Sequence, residues 1–252
     1  MMKQYGVQLY TIREQMTDAA AIAASFARIK ALGYDEVQTA GCKIPYDEFG
    51  RLARAHGLSI VGTHDSWDQM LSDLDAVMAN HRALGTTNIG IGGMPGAYRD
   101  SREGLETFIR LANGIAAKIS RHGFKFTYHN HSFEFAKMGQ QTLMEQLVAE
   151  LDPQTTSFVL DTYWVQRGGG DVRWWIEKLK GRIDILHLKD MAVVDNEPRF
   201  TEIGQGNLNM PGIIATAEQC GVRYYVVEQD TCPGDPFDSL RISSDYLRRF
   251  IV

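Results

Sequence analysis

A recurring glycine is the feature that most constrains how this chain can fold. Six times, a stretch of helical character ends in a glycine, and a short apolar run of strand character follows at once. A glycine just past a helix end adopts the left-handed backbone conformation at little cost. This succession predicts strands that alternate with helices along the whole chain. The glycines are Gly33, Gly57, Gly85, Gly123, Gly181 and Gly221.

Eight strand–helix units follow from this pattern. The predicted strands span residues 5–10, 35–40, 59–64, 88–92, 124–131, 157–163, 184–190 and 223–230. The predicted helices span residues 18–32, 46–56, 67–84, 102–122, 140–151, 171–180, 210–220 and 236–249. Alternation in this order predicts parallel pairing with right-handed crossovers. We therefore predict a single (β/α)8 TIM barrel of the α/β class over residues 1–252, and an open doubly wound sheet is the alternative.

Composition and charge exclude several classes of protein. The chain is 44% apolar and 23% charged, as in ordinary soluble domains, and its net charge of −5 does not favour a nucleic-acid partner. No apolar run is long enough for a membrane span, and no signal peptide is evident. The three cysteines are too few and too far apart for a disulfide framework or a CxxC zinc site. We expect a cytoplasmic protein with reduced thiols.

Polar residues stand at the ends of four consecutive predicted strands. Because side chains alternate along a strand, His129, Asp161, His187 and Glu228 are each predicted to point into the barrel. The active site of such a barrel lies at the carboxyl ends of its strands, and neighbouring strands are about 4.8 Å apart. These four side chains are therefore predicted to surround one point. The inward faces are also predicted to carry Ile60, Gly62, His64, Val159, Ile185 and Val226.

Two imidazoles and two carboxylates form a mixed nitrogen and oxygen set. Such a set suits Mn²⁺, Zn²⁺, Co²⁺ or Fe²⁺ better than Ca²⁺ or Mg²⁺, which prefer oxygen ligands alone. Without a metal, two carboxylates buried so close together would be unfavourable unless one stayed protonated. Any one of these residues alone could be a hydrogen-bonded polar cap on the barrel. Four of them on consecutive strands favour one shared divalent metal ion, with Mn²⁺ as the expected species.

Five longer stretches resemble the xylose-isomerase-like barrels, the sugar phosphate isomerase/epimerase superfamily, which is related to AP endonuclease family 2. They are YHNHSFEF (128–135), FVLDTYWVQRGGGDV (158–172), ILHLKDM (185–191), EIGQGNLNM (202–210) and VVEQDTCPGDPF (226–237). The resemblance implies a (β/α)8 barrel, one divalent metal, and chemistry on a sugar or polyol. At the matching positions it implies metal ligation by Asp161, His187 and Glu228.

The chain departs from this family at the end of the fifth strand. In many epimerases that this chain resembles, a glutamate stands there and forms a pair of metal-bound glutamates with the one on the eighth strand. Here His129 takes the place of the first glutamate, so only Glu228 remains of that pair. A second acid or base is then needed, and Glu134, His64 or Lys189 could supply it. Alternatively, a lyase or dehydratase acting beside a ketone needs only one base. Some relatives with such a strand resemble enzymes of 3-keto-glycoside metabolism.

Each further candidate has a functional and a structural interpretation. Lys189 could protonate or bind an oxygen of the substrate, or pair with Asp190. His64 could hydrogen-bond the substrate, or Asp65. Glu134 could orient a histidine, or be solvated. The remaining residues predicted to contact substrate are His131, which could also replace His129 as ligand, Trp164, Gln8 and Gln38. Tyr163 is predicted to pack in the core.

We conclude from the sequence that the chain is a metal-dependent sugar isomerase or epimerase. It would abstract a proton next to a carbonyl and stabilise the resulting enediolate, with Glu228 as ligand and base. The alternative is a metal-dependent lyase or dehydratase on a keto-sugar or 3-keto-glycoside. An AP endonuclease would need more ligands on the second and third strands than His64, and a non-catalytic sugar-binding subunit is a further alternative. The expected partner is a small sugar or polyol, not a nucleic acid or a membrane, and a homo-oligomer is left open.

Overall fold

Eight parallel strands form the centre of the molecule in a computed structural model that describes residues 4–250. Residues 1–3 and 251–252 of the predicted domain lie outside the described residues. The strands are β1 (Gly6–Gln8), β2 (Glu36–Thr39), β3 (Ser59–Thr63), β4 (Asn88–Ile91), β5 (Lys125–His129), β6 (Thr156–Asp161), β7 (Ile183–Leu188) and β8 (Tyr224–Val227). Their order in the sheet is β3-β2-β1-β8-β7-β6-β5-β4.

The seam between β3 and β4 closes the sheet into a near-complete barrel. The main-chain N–H of Asp65 donates to Gly90 O at 2.7 Å, just beyond the end of β3. The side chain of Asn88 donates from Nδ2 to Val61 O at 2.9 Å. With the strands parallel throughout and helices around them, the architecture is a (β/α)8 barrel, which confirms the predicted fold class.

Ten α-helices surround the barrel in the described part of the chain. They are α1 (Ala19–Ala31), α2 (Tyr46–Ala55), α3 (Trp67–Ser72), α4 (Leu74–Leu84), α5 (Arg102–Ser120), α6 (Leu143–Glu150), α7 (Thr162–Arg167), α8 (Val172–Lys178), α9 (Met210–Gln219) and α10 (Pro236–Leu247). Four short 3₁₀ segments span Leu9–Gln15, Gly96–Tyr98, Phe133–Phe135 and Arg248–Phe250. All six glycines predicted to end helices have positive φ. No helix among residues 4–250 is both long and apolar enough to cross a bilayer.

Side-chain caps explain where the predicted boundaries were wrong. The predicted helix 67–84 is divided because the Asp73 side chain accepts from the Ala76 N–H and starts α4. The predicted strand 157–163 ends at Asp161, whose carboxylate accepts from the Trp164 N–H and starts α7. The predicted strand 5–10 ends at Gln8, whose side chain accepts from the Tyr10 N–H as a 3₁₀ segment begins.

A small apolar cluster fills the barrel interior. It contains Val61, Val159, Ile185 and Val226, which confirms the last three as inward-facing. Ile60, predicted to point inward, instead belongs to the larger core that includes the helix residues. The reason is an irregularity in pairing, because Val37 pairs with Ile60 whereas Gln38 pairs with Gly62, so that Val61 is an extra residue.

The chain between β7 and α9 contains an antiparallel hairpin at the carboxyl end of β7. Its strands are Asp190–Val194 and Glu197–Thr201, and we call it the rim hairpin. Its two-residue turn, Asp195 and Asn196, has φ values of 52° and 63°. Asp and Asn tolerate this left-handed conformation in a tight turn. The rim hairpin gives the barrel an additional wall on the side where the predicted site lies.

Candidate active site

The structure brings together the four strand-end residues predicted to bind metal. His129, Asp161 and His187 lie on β5, β6 and β7, and Glu228 follows β8 directly. Each offers one ligand atom, and these atoms all lie within 4.8 Å of one another. All four side chains are buried. We call this set the strand-end cluster.

His129 directs one ring nitrogen into the strand-end cluster. Its Nδ1 lies 3.1 Å from Gly92 O, and a carbonyl can only accept, so Nδ1 carries the hydrogen. In a neutral imidazole, Nε2 then has a lone pair, and this atom lies 3.5 Å from Asp161 Oδ2. A lone pair that faces a carboxylate is unfavourable unless a proton or a cation lies between them.

His187 is arranged in the same way. Its Nε2 lies 2.6 Å from Gln38 Oε1, so Nε2 donates. Its buried Nδ1 makes no hydrogen bond, although it lies 3.1 Å from Glu228 Oε2 and 3.6 Å from Asp161 Oδ2. Burial alone would lower the His187 pKa, but the carboxylates of Glu228 and Asp161 raise it by more, so the pKa lies above its usual value. Both histidines therefore have the orientation and the outer hydrogen bond that metal-binding imidazoles have.

Lys189 places an ammonium group against the same carboxylates. Its buried Nζ lies 3.1 Å from Asp161 Oδ2, 2.7 Å from Glu228 Oε2 and 2.8 Å from Asp230 Oδ1. Burial alone would lower the Lys189 pKa, but these three carboxylates raise it above its usual value. Three ionised carboxylates against one ammonium leave two negative charges, which is the charge that a divalent cation neutralises.

Lys189 also determines the charge of its neighbours. Burial alone would raise the pKa values of Asp161 and Glu228, but the ammonium group lowers both below their usual range. The pair can therefore be ionised together, which the sequence argument about one protonated carboxylate did not foresee. The ion pair of Lys189 with Asp190 is not formed. Asp190 instead accepts main-chain N–H bonds from the loop after the rim hairpin, at Gly204, Gly206 and Leu208.

A cavity of about 410 Å³ opens above the strand-end cluster, within the size range of small-molecule sites. We call it the central cavity. His129 and Glu228 reach it, whereas Asp161 does not. The lining residues are Tyr10, Ala40, His64, Asp65, Gly92, His129, His131, Lys189, Glu228 and Asp230.

His64 forms part of the wall opposite Glu228 and Lys189. Gln8 Oε1 accepts a hydrogen bond from the Tyr10 N–H, so Gln8 Nε2 faces His64 Nδ1 at 3.3 Å. The Nδ1 atom therefore accepts, and Nε2 carries a hydrogen that has no partner in the described residues. Burial lowers the His64 pKa well below its usual value, so the ring is a neutral donor. The alternative contact of His64 with Asp65 is not formed, because Asp65 accepts from the Tyr46 hydroxyl.

Three predicted site residues lie behind the cavity wall. Gln8 and Gln38 are fully buried, do not line the central cavity, and contact His64 and His187. Glu134 is also fully buried, so the solvated interpretation was wrong. Its carboxylate accepts from the Tyr128 hydroxyl at 2.7 Å and from the His131 N–H at 2.8 Å.

The aromatic residues lie at the side of the central cavity. His131 lines it, with its ring 4.7 Å from the His129 ring and 5.3 Å from the Trp164 ring. Burial lowers the His131 pKa to about 3. Trp164 does not line the central cavity but a second one beside it. Tyr163 is buried against Phe200, as predicted.

The sequence argument missed two groups that build this site. Asp230 lines the central cavity and pairs with Lys189, and its position two residues after Glu228 would have identified it, because residues i and i+2 share a face. Asn130 accepts the Asp161 N–H at 2.9 Å through Oδ1 and fixes the end of β6 against β5. No sequence signal indicated that contact.

A parallel barrel with a buried mixed-ligand cluster and a cavity at the carboxyl ends of its strands defines a class of barrel enzymes. The family model of the xylose isomerase-like TIM barrel matches residues 26–250, and the chain belongs to that family. The predicted resemblance is thereby confirmed.

Similarity to individual proteins is lower. An inosose dehydratase from Mesomycoplasma hyopneumoniae is 27% identical over 168 residues, which are 58% of this chain and 55% of that protein. The chain thus spans about half the length of the curated relatives it matches. A sugar phosphate isomerase/epimerase from Parabacteroides distasonis has a TM-score of 0.81 at 23% identity, with 98% of each chain covered. An AP endonuclease, family 2, from Brucella melitensis has a TM-score of 0.76 at 19% identity over both full chains. These two structures share the fold.

Proposed function

We propose that this protein is a metal-dependent enzyme that removes a proton from the carbon beside a carbonyl group of a sugar or polyol. One observation carries the proposal. The lone pairs of His129 and His187 face the carboxylates of Asp161 and Glu228 in a buried cluster at the floor of a cavity. Family membership and an inosose dehydratase among the relatives support a sugar-related substrate.

The residues that would hold the metal are His129, Asp161, His187 and Glu228. Their mixed nitrogen and oxygen donors fit Mn²⁺, our first choice, and also Zn²⁺, Co²⁺ or Fe²⁺. When bound, such a cation supplies Lewis acidity, which polarises a carbonyl oxygen and makes the neighbouring C–H more acidic.

Glu228 is the proposed base. It is the member of the strand-end cluster that combines a carboxylate with access to the cavity, because Asp161 is enclosed. Lys189 Nζ lies 2.7 Å from Glu228 Oε2 and keeps the Glu228 carboxylate ionised. Glu228 can therefore accept the proton. The electron pair of the C–H bond moves toward the carbonyl carbon and gives an enolate or enediolate, whose oxygen the His64 N–H can stabilise.

The outcome that the geometry supports best is dehydration. One carboxylate base and one ammonium group line the same side of the cavity, which suits loss of a hydroxyl group on the carbon next to the deprotonated one. The C–H proton goes to Glu228, the C–O bond breaks, and the departing hydroxide takes that proton from Glu228 and leaves as water, so that Glu228 is ionised again. Lys189 donates a hydrogen bond to the departing oxygen.

Isomerisation or epimerisation is the second candidate. It is favoured by the imidazoles of His64 and His131 in the central cavity, which are neutral and could exchange a proton from the other side of the substrate. The wall opposite Glu228 has no second carboxylate at the matching strand end, because β5 ends in His129.

Turnover in D₂O distinguishes these outcomes. The metal-supplemented protein is incubated with keto-inositols, ketoses and 3-keto-glycosides, and the products are followed by NMR. We expect loss of one water and a new conjugated carbonyl absorbance. Deuterium at the α-carbon of an epimer or isomer, without loss of water, would instead establish the second candidate. Binding of these sugars without any change would leave a sugar-binding role, and cleavage of duplex DNA at an abasic site would overturn the proposal.

A further inference from the structure

A second cavity of about 500 Å³ lies beside the central one, and nothing in the reaction proposed above uses it. The rim hairpin, α7 and the loop after β8 enclose it, and we call it the rim cavity. It is lined by Tyr163, Trp164, Arg167, Pro198, Arg199, Phe200, Thr201, Glu202, Thr231, Cys232 and Pro233. Three aromatic rings and two prolines supply its apolar walls, and two arginines, two threonines and Glu202 supply polar groups.

One layer of side chains separates the two cavities. Trp164 lines the rim cavity, and its ring is 5.3 Å from the ring of His131, which lines the central cavity. Lys189 Nζ, at the central cavity, is 5.5 Å from the Trp164 ring and 5.4 Å from the Phe200 ring. Asp230 and Thr231, adjacent in the chain, line one cavity each. A ligand bound over Lys189 and Glu228 therefore has the rim cavity directly next to it.

The lining of the rim cavity suits a ring. Tyr163 is buried against Phe200, with ring centroids 4.3 Å apart, and Trp164 meets Phe200 at 5.6 Å. The half-buried rings of Trp164 and Phe200 therefore present the apolar surface on which a sugar or aryl ring can stack. Arg167 is engaged by the Tyr163 hydroxyl. Arg199 is exposed and makes no hydrogen bond or ion pair with the rest of residues 4–250, so its guanidinium is available to an oxygen of a ligand.

We propose that the rim cavity binds a second ring of the substrate, joined through a glycosidic oxygen to the sugar ring in the central cavity. The natural substrate is then a glycoside rather than a free monosaccharide. This inference rests on the proposed function, because it places the reacting sugar over Glu228. The second ring shares one chemistry, an apolar face with polar edges, whether it is an aromatic group or another sugar.

Binding of matched ligands tests this inference without turnover. The probes are glucose, galactose and xylose, with the methyl, phenyl and glucosyl glycosides of each, titrated into the metal-supplemented protein and followed by calorimetry and ligand-observed NMR at millimolar concentration. We expect a phenyl or glucosyl glycoside to bind about tenfold more tightly than the methyl glycoside of the same sugar, as one added stacking contact would give. The phenyl and glucosyl arms show which kind of ring the cavity prefers.

Two variants locate the effect. Phe200→Ala should abolish the gain from the second ring, measured within that variant as the ratio of phenyl- or glucosyl-glycoside affinity to methyl-glycoside affinity. Arg199→Ala, at an exposed position that cannot disturb the core, should reduce that gain about threefold. Val193→Ala, on the exposed end of the rim hairpin and outside both cavities, is the matched control. Equal binding of methyl, phenyl and glucosyl glycosides, or a gain that survives both substitutions, overturns the inference alone. If no probe binds while keto-sugars are converted in the turnover assay, the inference fails and the proposed function stands; if those keto-sugars are not converted either, both fail.

Discussion

The two ends of the barrel bury similar charged residues in different ways. At the amino end, Asp184 lies 3.3 Å from Lys125 Nζ and 3.8 Å from Arg223 Nη1, and the two cations keep 35% and 56% of their side chains exposed. At the carboxyl end, Lys189 is 1% exposed and contacts three carboxylates, two of which face histidine lone pairs. One end has a surplus of solvated cations and the other a buried surplus of negative charge.

This difference indicates which of the two charged groups, the one at the amino end or the one at the carboxyl end, has a purely structural role. The amino-end group pairs one buried carboxylate with two partly exposed cations, so it contributes modestly to stability and has no excess negative charge for a ligand to neutralise. Buried ionic clusters are seldom retained for stability alone, because desolvation offsets much of their attraction. The carboxyl-end cluster, with unpaired lone pairs and two excess negative charges, has the composition and geometry that could hold a cation.

The largest expected effect is a loss of bound metal, which a substitution at the carboxyl end should cause and one at the amino end should not. His187→Ala should reduce bound Mn²⁺ or Zn²⁺ from about one per chain to a small residue. Activity should fall by about a thousandfold, since a cation that contributes several kcal/mol to the transition state is lost. Asp184→Asn is the matched control at the amino end and should keep metal and activity while losing about 1 kcal/mol of stability. Elemental mass spectrometry, activity assays and denaturant unfolding measure these quantities. Full metal content in His187→Ala would contradict the proposal that the strand-end cluster binds the metal.

The next effect distinguishes the two glutamines on neighbouring strands. Gln38 accepts from His187 at 2.6 Å, so Gln38→Leu should weaken metal affinity by about 10- to 100-fold, as loss of an outer hydrogen bond does at metal sites. Gln8 contacts His64, so Gln8→Leu should leave metal affinity unchanged and lower turnover by about tenfold. Chelator competition and steady-state kinetics measure the two. Equal metal affinities in the two variants would contradict these assignments.

Local sequence was sufficient for the alternation of elements and for the four members of the strand-end cluster. Side chains alternate on a strand and parallel strands end at one edge, so His129, Asp161, His187 and Glu228 could be placed together without knowing any loop. The predicted alternation of inward and outward side chains was wrong at Ile60, because Val61 is an extra residue in β3 and composition does not indicate such a bulge.

The remaining features depend on contacts between distant parts of the chain. Gln38 and His187 are 149 residues apart, and only the closed barrel brings the amide to the ring. The rim cavity requires the rim hairpin to fold back over α7, which follows from a two-residue turn and from Asp190 binding the loop beyond it. The contacts of Gln8 with His64 and of Gln38 with His187 therefore could not be derived from pattern alone, whereas an orienting contact of Glu134 was one of its two interpretations from sequence.

Metal affinity should depend on pH at the carboxyl end. Glu228 and Asp161 raise the His187 pKa above its usual value against the effect of burial, so the metal-free protein keeps a proton on His187, where the metal would bind, to a higher pH than a free imidazole does. Affinity should therefore fall about tenfold per pH unit below the raised pKa and level off above it, with one proton released per ion. Calorimetry in buffers of different ionisation enthalpy counts that proton. An affinity that is constant between pH 6 and 7 would contradict this arrangement.

The last comparison is between two buried acids, one at each end of the barrel. Burial raises the pKa of Glu134 at the carboxyl end and of Glu36 at the amino end to about 7. Because each folded-state pKa lies above the ordinary value of 4.5, each acid contributes stability that is complete below pH 4.5 and is lost as the pH rises to 7.

Glu134→Gln and Glu36→Gln should each remove that loss, which is on the order of 2 to 3 kcal/mol over this range. Other titrating groups cancel in the difference between wild type and variant. Denaturant unfolding at pH 4.5, 5.5, 7 and 8 measures it, and a difference that does not change with pH would contradict the buried neutral acid. Only Glu134→Gln should also alter turnover, because its carboxylate binds the His131 N–H beside the central cavity, whereas Glu36 contacts Gln4 at the opposite end. An equal loss of turnover in both variants would mean that the two ends are coupled through the barrel, and the separation between a structural and a functional end would then fail.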